Sequence, residues 1–381
     1  MIKFLKIEFD SKRIFGLDIL RALAILFVVF EHGGNFLPSN VKSIYKVFII
    51  DGVSIFFVLS GFLIGKILID LIEKNHINRK ILLHFWTRRW FRTLPNYFFV
   101  LILLILLNLI FNNQFSFKSI TSYFIFAQNI ITEHPIFFPE AWSLSIEEWF
   151  YILIPICIYI TIRYFKFSPR RSVIMAAVSI LITVTLYRFY KFSNYQIISY
   201  GDWDLQFRKQ VLTRLDSIMY GIIGAYFYVY SQSKWKKYRK KLLFLGLLLF
   251  LSLKFLGFLN LKPVDGLFNC VFSFSLTAIA TTLTLPYLSS LKQGRGIWYS
   301  TFTYISLISY SMYLLNLSVI QFWIIDKIDW SYFNFNSNTL MTFKYGLFWF
   351  LTILFSTILY KYFETPMMNL RDRFKGLTTV S

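Results

Sequence analysis

Ten separate runs of about 17 to 22 mostly apolar residues punctuate this chain, and few folds accommodate such a pattern. A run of that length crosses the roughly 30 Å hydrocarbon core of a bilayer as an α-helix. Barrel strands show only short alternating segments, so a porin-like barrel is excluded. Mean hydropathy of +0.56 and 56% hydrophobic residues leave a 381-residue chain without the polar surface a soluble protein of that size needs. The expected fold is all-α: a polytopic membrane helical bundle of about ten transmembrane helices, forming one domain over residues 1–381 with no appended extracytoplasmic domain. Predicted spans are Phe15–Gly34, Ile49–Leu71, Leu94–Phe111, Leu144–Ile162, Val173–Phe189, Leu212–Tyr230, Leu242–Phe258, Leu267–Leu288, Ile305–Ile325 and Tyr345–Tyr362. No small-residue cleavage site follows the first run, so it is read as a retained helix rather than a signal peptide.

A formal charge of +21 invites a nucleic-acid partner, but 27 of the 40 Lys and Arg residues fall in alternate loops. They include Lys3, Lys6, Lys12 and Arg13 before the first span, Arg88, Arg89 and Arg92 in the second loop, the SKWKKYRKK run after the sixth span, and Lys375 at the end. That alternation is a topology signal, placing both termini in the cytoplasm and leaving no nucleic-acid partner to explain. The basic run reads as an anchor against lipid headgroups. Cys157 and Cys270 both fall within spans and support neither a disulfide framework nor a metal site.

Within the first span, FGLDILRALAILFVVFEHGG, lie Arg21 and His32. Eleven residues correspond to about 16 Å of rise and three turns plus roughly 20°, so both side chains lie along one helix face. An ionisable group at such depth costs about 2.5 to 3.5 kcal/mol on insertion scales, which makes a polar pathway the working hypothesis. The plainer alternative has Arg21 snorkelling to the inner headgroups and His32 bonded to a neighbouring carbonyl.

Three further stretches carry chemistry. LLHFWTRRWFRTLPNY clusters Arg88, Arg89 and Arg92 on one side of a short helix ahead of Pro95. Such a cluster is either a positive-inside loop or a clamp, since arginine's planar fork pairs bidentately with phosphate. In FPEAWSLSIEEWFY, Ser143, Glu147 and Tyr151 share a helix face at i, i+4, i+8. Glu147 or Glu148 fits either a capping pattern or a carboxylate that orients or charges His32. Arg214 and Asp216, two apart in TRLDSIMYGIIGAY, face different sides of a helix and read as interhelical partners or substrate contacts. Ser309, Tyr313 and Asn316 fall at helical spacing in the ninth span, whereas the fifth offers little beyond bulk hydrophobicity. The absence of a phosphate loop or nucleotide fingerprint argues against ATP-driven transport by this chain alone.

Taken together, Arg21 and His32, DGVSIFFVLSGFLIG, RRWFRTLP, WSLSIEEWFY, TRLDSIMYGIIGA and SYSMYLL resemble the acyltransferase-3 family of integral membrane acyltransferases. This group includes bacterial O-antigen and peptidoglycan O-acetyltransferases. The resemblance runs from about Arg13 to Arg371, and it departs from the family at Asn316, where a histidine is common. It implies an acyl-CoA, usually acetyl-CoA, as cytoplasmic co-substrate, with no permanently bound cofactor, and a glycan or lipid-linked sugar hydroxyl as acceptor at the outer face of a bacterial cytoplasmic membrane. Arg21, Arg88, Arg89 and Arg92 would bind the donor; His32 would be the general base, with Glu147, or Glu148 in its stead, orienting it. Glu31, Trp142, Ser143, Tyr151, Arg214 and Asp216 stand as supporting or acceptor-side positions. The alternatives are a small-molecule acceptor, or a proton-coupled transporter or flippase using Arg21, His32 and Glu147.

Overall fold

The structure, a computed structural model, describes residues 7, 9–10, 13–38, 41–42, 48–74, 77–259, 261, 263–333 and 336–373. Lys3, Lys6, Lys12 and Lys375, counted above in the basic loops, lie outside the described residues. Ten long helices follow one another: α1 (Phe15–Gly33), α2 (Gly52–Lys74), α3 (Arg79–Phe111), α4 (Ala141–Arg163), α5 (Pro169–Asn194), α6 (Val211–Tyr230), α7 (Arg239–Phe258), α8 (Phe268–Leu288), α9 (Gly296–Lys327) and α10 (Ser337–Leu370). Each matches one predicted span, and no strand occurs among the described residues.

Eight of these helices are long and apolar enough to cross a membrane by length and composition. The remaining two, α1 and α6, have 19 and 20 residues. They hold Asp18, Arg21 and Glu31, and Arg214 and Asp216, respectively, which is why a purely apolar criterion passes them over. Both sit inside the bundle. α6 packs along α2 so closely that a Cβ on Gly61 or on Gly221 would run into the facing backbone, at Ile218 and Val58 respectively. Without a side chain at these two positions the helices interlock at van der Waals distance, which drives association where water supplies no hydrophobic force. In α2, 61% of the most apolar window is buried, against 11% in α7, so α2 is central and α7 is a peripheral helix facing lipid with Phe244 and Leu248.

Local chemistry sets the helix ends. Asp51 caps α2: one carboxylate oxygen accepts from the backbone N–H groups of Val53 and Ser54 at 3.2 and 3.3 Å. Asn78 caps α3 by accepting from the Ile81 N–H at 3.0 Å. The short arginine helix expected before Pro95 is corrected by the structure: α3 runs unbroken through Pro95 for 33 residues, about 50 Å. That exceeds the hydrocarbon thickness, so its first turns extend beyond the span and carry the arginines as a rigid arm.

The basic loops converge on one face. The start of α1 meets the loop after α8 through Phe15 and Gly16 N–H bonds to the carbonyls of Lys292 and Leu291 at 3.3 and 2.9 Å. Trp235, after α6, donates to Ser289 Oγ at 3.1 Å. The opposite face is closed by residues 129–142 and 200–211, joined where Val211 N–H donates to the Asn129 carbonyl at 2.9 Å.

Candidate active site

Near the basic face, α1, α2, α3, α4 and α9 line a cavity of about 120 Å³. Arg21 projects into it from α1, Ser60 from α2, Arg89, Arg92 and Thr93 from α3, Ser143, Glu147 and Tyr151 from α4, and Ser309, Tyr310 and Tyr313 from α9. The i, i+4, i+8 face of α4 therefore lines the cavity as a unit. Tyr151 donates to Glu147 Oε2 at 3.0 Å and lies 3.0 Å from Ser60 Oγ. Glu148 points to α3 instead, accepting from Thr93 Oγ1 at 2.9 Å. Of the three clustered arginines, Arg89 and Arg92 reach the cavity; Arg88 is not among its lining residues.

Charge in this cavity is unbalanced. Arg21 and Arg92 form no ion pair with any carboxylate among the described residues. Glu147 and Glu364 are close enough to act electrostatically on both. Glu364, which the sequence reading did not single out, is 5% exposed and accepts from Asn96 Nδ2 and Ser311 Oγ, each at 2.8 Å. Arginine's planar fork pairs with phosphate oxygens, so two guanidinium groups outside any ion pair in a partly enclosed space are chemically suited to an anion.

His32 lies elsewhere, at the contact between α1 and α9. Its Nδ1 is 2.5 Å from Asn316 Oδ1. The expectation that Glu147 or Glu148 orients this imidazole is corrected: those carboxylates are engaged by Tyr151 and Thr93, and the group on His32 is the Asn316 carboxamide. Both glutamates lie on α4 and the histidine's true neighbour on α9, with four helices between them in the chain, and helical spacing within α4 could not reveal which element α1 would meet.

A second cavity, of about 950 Å³, opens toward the opposite face. Glu31 of α1, Gly34 just beyond it, Asp51, Tyr200, Trp203 and Arg208 form its polar wall, and Phe250, Leu251 and Phe255 of α7 its apolar one. Arg208 is 3.0 Å from Asp204 Oδ1 and 3.6 Å from Asp51 Oδ1. Burial works against the charge on Asp204, but Arg208 and Lys209 outweigh it and hold the carboxyl below its ordinary range. The two cavities share no lining residue. Between them stands Trp142, with Phe57 at 6.0 Å on one side and the Arg208 guanidinium at 5.3 Å from its ring on the other. α1 runs past both, presenting Arg21 to the first and Glu31 to the second, with His32 one residue further on.

Arg214 and Asp216 are interhelical partners. Asp216 Oδ2 is 2.7 Å from Arg188 Nη2, both side chains fully buried, and accepts from Ser275 Oγ at 2.9 Å. Arg214 donates to Ser54 Oγ at 2.7 Å and stacks 4.1 Å from the Phe274 ring centre. Arg188 belongs to α5, the span read as featureless, and the rule that singled out Arg21 inside an apolar run would have found it.

A bundle of long apolar helices around an arginine-lined internal cavity defines an integral, multi-pass membrane protein. Residues 14–361 match the sequence model of the acyltransferase-3 family, described as an acyltransferase domain, and the chain belongs to that family. It is 30% identical over 173 residues to the O-acetyltransferase OatA of Staphylococcus aureus (strain NCTC 8325 / PS 47), covering 42% of this chain and 26% of that protein. The peptidoglycan O-acetyltransferase OatA of Listeria monocytogenes is 29% identical over 177 residues, 43% of this chain and 27% of that protein. A putative O-acetyltransferase of Staphylococcus aureus (strain COL) aligns over 375 residues at 25% identity, 92% of this chain and 56% of that protein. The chain thus spans between about a quarter and about half the length of these relatives. No solved structure matches it.

Proposed function

We propose that this chain transfers an acyl group, acetyl in the first instance, from cytoplasmic acyl-CoA to a hydroxyl of a cell-envelope glycan or its lipid-linked precursor on the other side of the membrane. One observation carries the reading: α1 lines two separate cavities on opposite sides of the bundle, and the cavity at the basic face holds two guanidinium groups without a carboxylate partner. Arg21, Arg89 and Arg92 would hold the phosphates of the donor, and the acceptor hydroxyl would come from the cavity beside Glu31. His32 takes the hydroxyl proton, the freed oxygen attacks the thioester carbonyl, the C–O bond forms as the C–S bond breaks, and the thiolate leaves to be protonated. The names of the relatives make an acetyl group and peptidoglycan fragments the first to test, with acetyl-CoA as the donor proposed here.

Purified protein in liposomes, given radiolabelled acetyl-CoA outside and acceptor fragments inside, tests this directly. Labelled glycan is expected. His32→Ala should lose at least about a hundredfold in turnover, the lower end of what a general base contributes. Arg92→Ala should raise the donor concentration needed for half-maximal rate. Paired cavities also suit a transporter, in which case solute would cross with no label appearing in any glycan. Full activity of His32→Ala would remove the proposed base.

A further inference from the structure

The geometry points to Asn316 and Glu140 as positioning residues for His32: together they hold the imidazole in the tautomer with its proton on Nδ1 and its lone pair on Nε2. The catalytic meaning of this assignment rests on His32 being the base proposed above; the tautomer itself does not.

The argument begins with the carboxamide. Asn316 Nδ2 donates to the carbonyls of Met312 and Tyr313 at 2.8 and 2.9 Å, so both amide hydrogens are committed. Rotating the carboxamide by half a turn would aim its oxygen at two carbonyl oxygens, so the assignment of O and N is settled by the surroundings. Oδ1 therefore faces His32 Nδ1 at 2.5 Å. A carboxamide oxygen only accepts, so Nδ1 must donate, and in the neutral ring the lone pair then belongs to Nε2. When Nε2 takes a proton, Nδ1 keeps its own, and Asn316 need not move.

Asn316 is itself fixed by Glu140, the residue just before α4. It opens a segment of wide turns, Asn316–Ile324, in which the regular ladder of α9 is interrupted. The N–H groups of Leu317 and Ser318 donate instead to Glu140 Oε1 at 3.2 and 2.8 Å, and the Ser318 hydroxyl donates to Oε2. Three residues before Asn316, the Tyr313 hydroxyl donates to the Glu140 carbonyl at 3.0 Å. Glu140 is 2% exposed and forms no ion pair among the described residues. A buried carboxylate without a cation is costly unless its oxygens are met by donors. Here the donors are Glu140's own N–H and three from the turn that aims Asn316.

The test needs no activity. In protein labelled with ¹⁵N-histidine, four imidazoles are present, and the His32 signals are those lost in His32→Gln. With the ring neutral, the Nδ1-protonated form is expected; the Nε2-protonated form, favoured by free imidazole, would overturn the assignment. In Asn316→Leu the ring should revert toward the Nε2-protonated form, and turnover should fall by about tenfold or more with the donor KM unchanged. A ring that keeps Nδ1 protonated in that variant would overturn Asn316 as the determinant. Glu140→Gln, which cannot match all three donors as a carboxylate does, should shift the ring in the same direction by a smaller amount, and an unshifted ring would remove Glu140 from the proposal. Should His32→Gln retain full transfer while the wild-type ring is Nδ1-protonated, His32 as the base fails and the tautomer stands.

Discussion

At the scale of single residues, the buried ion pair of Arg188 and Asp216 carries the clearest stability consequence. Removing one partner leaves an uncompensated charge among apolar neighbours, so Asp216→Ala should destabilise the protein by about 3 to 5 kcal/mol, read as a fall in melting temperature in detergent. Replacing both, as Arg188→Met with Asp216→Leu, should recover most of that loss, because a matched apolar pair buries no charge. The two members of the pair were unequally legible. Asp216 stands in a motif-like stretch beside Arg214, whereas Arg188 sits alone in an apolar run, and its partner lies 28 positions later on another helix. The same limit applies to His32. A sequence shows that a histidine lies within a span, but the residue that meets its Nδ1 comes from 284 positions away.

Among elements, the α2/α6 contact depends on Gly61 and Gly221 more than on any side chain. Gly221→Leu should force the helices apart and cost at least about 1 to 3 kcal/mol, seen as lower thermal stability and lost transfer activity together. A variant as stable as wild type would show that the helices separate without consequence. Helix existence was readable throughout, since length and hydropathy decide it and all ten runs are helices. Helix ends were less so. α3 extends 15 residues before the predicted Leu94 start because its arm carries charge and aromatic residues that hydropathy discards. The wide turns at Asn316–Ile324 have no local signature at all, being held open by Glu140, just before α4.

For the molecule as a whole, the candidate site divides into parts that spacing foretold and parts that only assembly creates. Ser143, Glu147 and Tyr151 lie on one face of one helix, and Arg21, Arg89 and Arg92 join them, as one-dimensional periodicity allowed. Separation of the two cavities by Trp142 and Phe57, and the polar wall built from Asp51, Tyr200 and Arg208, depend on which loops meet over the bundle. Spacing within single helices carries no trace of that arrangement.

At the start of α1, Asp18 pairs with Arg13 locally, and both then find a partner in α9. Ser306 meets Asp18 across 288 positions and Arg13 across 293. A ribosome adding about 5 to 20 residues each second needs some 15 to 60 s to make that much chain. Throughout that interval the first helix emerges from the translocon with charges that cost about 2.5 to 3.5 kcal/mol apiece at the bilayer centre. It is therefore expected to linger at the translocon or the membrane surface and to enter lipid only once the late helix has been synthesised. Nascent chains cut before Gly296 should leave a glycosylation tag placed beyond His32 largely unmodified, while chains released after Lys327 should carry it across; efficient modification of the short chains would mean that the first helix inserts alone.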